Sequence, residues 1–173
     1  MPRLEAAKEL SQMETVYIET SVLSFLVSSP SRQPETAWRQ KLTRDWWKLR
    51  RPLFHCVTSD AVMEEAREGD AAQSRLRLDA LAGMTTLRLN AEAKTLSEAL
   101  MAAGVLPPSA AMDALHLALA TVYRANYLLT WNCKHLANAV LWCRLEPVAQ
   151  ARGWRLATAC TPMQLMGDIE YES

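Results

Sequence analysis

The chain has 173 residues, half of them hydrophobic and 22% charged, which suits a single globular domain with a packed core and excludes a largely disordered chain. Nineteen cationic and nineteen acidic side chains leave a net charge of zero, which excludes strong non-specific binding to nucleic acid but not a local basic patch. No apolar run reaches the roughly 20 residues that span a bilayer, the opening MPRLEAAKELSQMET lacks a signal-peptide core, and Cys56, Cys133, Cys143 and Cys160 form no CxxC, so the expectation is a cytoplasmic protein with reduced thiols and no membrane contact.

In chain order, the β-branched and aromatic run Thr15 to Ile18 predicts a buried strand, and Thr20 or Ser21 is placed to cap the helix after it. Pro34 opens a second helix through about Arg50, which Pro52 ends. From Arg39 to Arg51 this stretch carries six cations and two tryptophans, as a base-stacking surface would, although a solvated helix face explains it more simply. Phe54 to Thr58 predicts a second strand, Ser59 or Asp60 caps a helix that ends at Gly69, and Asp70 starts another through Leu81. Thr85 to Leu89 is a third strand, followed by a helix from Ala91 to Ala103. Pro107 and Pro108 introduce a helix from Ala110 to Tyr123 with a broad apolar face. Tyr127 to Thr130 is a fourth strand, a helix runs from about Lys134 toward Ala151, and Leu156 to Cys160 is a fifth strand. Alternating strands and helices imply a mainly parallel sheet covered on both faces, which binds ligands beyond the carboxyl ends of its strands.

At those ends the sequence places Glu19 after the first strand, Glu64 and Glu65 after the second, and Asn132 after the fourth, with Asp113 near the start of the preceding helix. Taken singly, Glu64, Glu65 and Asp113 suit the first turn of a helix, Glu19 suits a plain polar strand end and Asn132 suits a cap. Taken together, three carboxylates at one sheet edge repel one another unless a cation neutralises them, and a hard ion such as Mg2+ or Mn2+ does so with oxygen ligands. The chemistry that follows is phosphodiester hydrolysis. The histidines are read as packing or hydrogen-bonding residues, because no zinc-type spacing is present, and no P-loop, GxGxxG or GxSxG motif occurs.

Four short stretches in this order, Tyr17 to Val22, Thr58 to Glu65, Met112 to Ala118 and Leu128 to Asn132, resemble the PIN-domain family, especially its VapC-like toxins. The resemblance implies a three-layer α/β/α sandwich around a central, mainly parallel sheet of about five strands, and a metal-dependent ribonuclease site. Glu19, Glu65 and Asp113 match the family's acidic metal ligands, and Asn132 falls where a fourth site residue is found. The resemblance further implies RNA as substrate, a small antitoxin protein as partner, and a homodimer. Residues 1–13 are read as a flexible or helical N-terminal extension, 14–168 as the PIN-like domain and 169–173 as a tail. The first acidic position is usually aspartate and here is glutamate, whose extra methylene shifts the carboxylate oxygens. That departure motivates an alternative: a catalytically weak or inactive PIN-like module that binds nucleic acid or protein.

Overall fold

The computed structural model describes residues 13–167. Except for Met13, the expected N-terminal extension lies outside the described residues, as does the tail at 169–173.

Five short strands form one sheet: β1 (Thr15–Ile18), β2 (His55–Ser59), β3 (Thr85–Leu87), β4 (Tyr127–Leu129) and β5 (Thr158–Cys160). Their order is β3-β2-β1-β4-β5 and every pairing is parallel, with Tyr17 opposite both Val57 and Leu128. The first strand therefore occupies the centre of the sheet, and Val16, Tyr17 and Ile18 are fully buried. Parallel strands need crossovers, and the seven α-helices among the described residues supply them. These are α1 (Thr20–Val27), α2 (Pro34–Leu49), α3 (Asp60–Ala66), α4 (Ala71–Leu81), α5 (Ala91–Ala102), α6 (Ala111–Val122) and α7 (Ala139–Gln150). Helix α1 packs on α2, α3 and α4, whereas α5 packs on α6 and α7, so two helical groups cover the sheet as the α/β/α sandwich requires.

The local signals act largely as expected. Ser59, Asp70 and Asn90 each accept a backbone N–H from the first turn of the helix they precede, and Pro34 stands at the start of α2. Gly69, Gly83 and Gly104 follow helices with positive φ, the conformation that a residue without Cβ adopts freely.

Two expectations are corrected. The cap of α1 is Glu19 itself, not Thr20 or Ser21, because its carboxylate folds back onto the Ser21 N–H. The last helix begins at Ala139, not near Lys134, and Asn138 caps it. Residues 133–137 instead form turns around Asn132, whose backbone oxygen accepts from the N–H groups of Leu136 and Ala137. The Asn132 side-chain oxygen also accepts the His135 N–H, and together these bonds close a turn that does not continue into α7.

Leu128 is fully buried in the centre of the sheet, between Tyr17 of β1 and Ala159 of β5. Leu128→Ala removes its transfer free energy and leaves a cavity, and it should lower the stability measured by urea unfolding by about 2–5 kcal/mol.

Candidate metal centre

Glu19, Glu65 and Asn132 lie near the carboxyl ends of β1, β2 and β4, whereas Asp113 on α6 is connected to Glu19 through Asn132 and Thr130. Glu19 is the residue after β1, and its backbone N–H extends the ladder by donating to the Leu129 oxygen. The side chain is buried, at 7% exposure, and its charge is met by three donors. Oε1 accepts from the Ser21 N–H at 3.1 Å, while Oε2 accepts from the Ser21 and Thr130 hydroxyls, the latter at 2.8 Å. Serving as helix cap and holding this carboxylate in place are one act.

Glu65 stands one and a half turns into α3 and turns toward Glu19, whereas its neighbour Glu64 is exposed. Its Oε2 accepts from the Thr20 hydroxyl and, at 3.0 Å, from Nε2 of His116. Burial raises the Glu65 pKa, but the His116 hydrogen bond and charge and the Thr20 hydrogen bond outweigh it, and the net shift is downward. Glu65 is thereby held ionised.

Behind Glu65 runs a chain of buried polar groups. Nδ1 of His116 lies 2.8 Å from the Tyr17 hydroxyl, which lies 2.6 Å from Oγ of Ser59, and that oxygen accepts the Val62 N–H. An ionised carboxylate can only accept, so Nε2 of His116 donates to Glu65, and in the neutral form of the ring Nδ1 then accepts from the Tyr17 hydroxyl. Tyr17 in turn accepts from Ser59. Burial raises the Tyr17 pKa, the Ser59 hydrogen bond pulls against it, and the Glu19 and Glu65 charges add to the rise, so the phenol stays neutral.

Asp113, on the first turn of α6, stands in a second group. Its Oδ1 accepts from the Asn132 side-chain amide at 2.9 Å, and its Oδ2 accepts from Nδ1 of His135 at 2.8 Å. Asn132 also accepts the His135 backbone N–H through its side-chain oxygen, which closes a compact triangle. Thr130 joins the two groups, donating its hydroxyl to Glu19 and accepting the Asn132 N–H at 2.9 Å.

Ligand atoms of Glu19, Glu65 and His116 lie within 4.8 Å of one another, close enough for this trio of described residues to surround a metal ion. Asp113 is not one of the three. Two carboxylates with lone pairs still open are the oxygen donors that a hard divalent cation takes, and the set fits such an ion. His116 is committed through both ring nitrogens to Glu65 and Tyr17, an arrangement that orients a ligand from behind.

The sequence reading of the histidines as hydrogen-bonding residues holds for His116 and His135, but their partners, Glu65 and Tyr17 for the one and Asp113 for the other, are far in sequence and carry no spacing signal.

No family model matches the sequence, and no curated protein matches it. A solved structure that aligns with the chain is VapBC2 from Rickettsia felis bound to a DNA fragment from their promoter. The TM-score is 0.46 and the identity 16%, over 69% of this chain and 89% of that one. Among the described residues no helix is long and apolar enough to cross a membrane.

Tyr17→Phe strands the Ser59 hydroxyl and Nδ1 of His116 in a sealed setting, and it should lower stability in thermal or urea unfolding by about 1–3 kcal/mol. The depressed Glu65 pKa has a definite sign. Its stabilisation is fully present above the ordinary value of 4.5 and is lost as pH falls through the lower folded value. The stability gap between the wild type and Glu65→Gln, followed by unfolding at a series of pH values, should therefore narrow on acidification below that range.

Proposed function

We propose that the protein is a divalent-metal-dependent endoribonuclease of the PIN type. The observation that carries this reading is the approach of the Glu19 and Glu65 carboxylates at the strand ends, with Asp113 and Asn132 tied to them through Thr130. Magnesium or manganese would be held by Glu19 and Glu65, with Asp113 as the third carboxylate. When bound, such an ion lowers the pKa of water and neutralises charge that develops on a phosphodiester.

The chain's own residues prepare that site in three ways. The donors of Ser21 and Thr130 hold Glu19 in one orientation, so little reorganisation is left for the reaction. His116 and Thr20 keep Glu65 ionised, and Asn132 and His135 hold both oxygens of Asp113. The likeness of the sequence motifs to VapC-like toxins extends the proposal to a toxin that forms a homodimer and is neutralised by a small antitoxin.

One observation favours the alternative of a module with weak or no catalysis. Glu19 already serves as a helix cap with three donors, a structural duty that by itself accounts for a carboxylate there. A single experiment separates the two: cleavage of a labelled RNA by purified protein with manganese. The nuclease reading expects cutting that Asp113→Asn lowers by about a hundredfold or more and that Asn132→Ala lowers about 10- to 100-fold. Equal cutting by wild type and Asp113→Asn would sink the assigned site, and no cutting by the wild type would leave the binding module.

A further inference from the structure

We propose that Trp38 and Arg39, on the first turns of α2, form a stacking subsite for a nucleobase of single-stranded RNA beside the carboxylate pocket. This rests on the reading of RNA as substrate and adds to it the place where a base is held. Trp46 and Trp131 are buried, but Trp38 keeps 46% of its surface open. Its indole meets Trp131 edge-on with centroids 6.0 Å apart, and Phe25 packs on Trp131 at 5.8 Å. The Arg39 guanidinium lies 5.4 Å from the Trp131 ring centroid and 5.9 Å from that of Phe25, steadied by an ion pair to Glu35 at 2.6 Å. An open indole beside a stacked guanidinium provides the flat, cationic surface on which an unpaired base rests.

A lone exposed tryptophan is ordinary on a protein surface. Two further observations point to an occupant and to its chemistry. The first is continuity with the pocket. Trp131 donates its backbone N–H at 2.8 Å to Oγ of Ser21, the same hydroxyl that donates to Glu19, and Asn132 is the next residue. The indole N–H of Trp131 bonds Oγ1 of Thr43 at 2.7 Å, which fixes α2 against it. The second is charge. From Arg32 to Arg51 the chain carries seven cations against two carboxylates, although the whole protein is neutral. Arg39 and Lys41 are paired with Glu35 and Asp45, and Arg44 is bonded to the Leu26 and Ser28 carbonyls. The net positive charge left along this segment suits a polyanion better than an apolar protein segment. Base faces are free only in single strands, which selects that form over duplex.

The test is fluorescence anisotropy of a labelled single-stranded oligoribonucleotide with the full chain in EDTA at low salt, alongside KM and kcat for cleavage with manganese. Trp38→Leu keeps an apolar cover over Trp131 but removes the π-face, and Trp38→Phe retains a ring. Thermal unfolding establishes that both are folded. The expected result is single-strand binding weakened about tenfold or more by Trp38→Leu and largely kept by Trp38→Phe, with a raised KM and little change in kcat. Duplex RNA of the same length should bind the wild type more weakly and respond less to the substitution.

Unchanged single-strand binding by Trp38→Leu overturns the subsite. So does a wild type that binds no RNA, in which case the surface belongs to a protein partner. If Trp38-dependent binding is found without any cleavage, the subsite stands and the nuclease reading falls. If cleavage is found with a KM indifferent to Trp38, the reverse holds.

Discussion

Two carboxylates held close together in a partly buried pocket repel each other, and much of the surrounding structure answers to that repulsion. Glu19 is met by the Ser21 N–H and by the hydroxyls of Ser21 and Thr130, and Glu65 by Thr20 and His116. Hydrogen bonds to charged groups are worth roughly 1.5–3 kcal/mol each, enough in aggregate to hold both side chains in place. The donors come from the first turn of α1, the end of β4 and helix α6, which the parallel order β3-β2-β1-β4-β5 brings to one edge by seating β1 between β2 and β4. A site of this kind is a property of the topology, because no single segment contains enough donors to satisfy it.

Much of that topology is legible in the sequence. The β-branched strands, the prolines that open or stop helices and the Ser and Asp caps state local preferences that the tertiary structure keeps. The departures fall where a side chain takes on a second task. Glu19 looks like a polar strand end followed by two good caps, Thr20 and Ser21, but both hydroxyls are drawn to carboxylates and the carboxylate becomes the cap. The turn at 133–137 looks like the beginning of a helix, and Asn132 diverts it by bonding the backbone beyond it. The choice between Glu64 and Glu65 follows from which face of α3 meets α1, which spacing alone suggests and packing decides. The roles of His116 and His135 depend on partners 51 and 22 residues away, which periodicity cannot convey.

Trp131 connects the polar pocket to the aromatic side of the molecule. Its backbone takes part in the hydrogen bonding around Ser21, while its ring lies among Phe25, Trp38 and Arg39 and its indole N–H is anchored to Thr43. A shift of α2 is therefore felt at Ser21 and through it at Glu19. Rigid packing of a large ring transmits displacement because the interior has little free volume to absorb it.

The buried chain from Ser59 through Tyr17 and His116 to Glu65 draws one member from each of β2, β1, α6 and α3. With His116 in its neutral form, the direction of the chain runs from the carboxylate end, so replacing one member leaves its neighbour with a proton or lone pair that nothing satisfies. The consequence is epistasis: the cost of a change at Tyr17 or His116 depends on which residues stand elsewhere in the chain, whereas the exposed Glu64 beside them is outside that coupling.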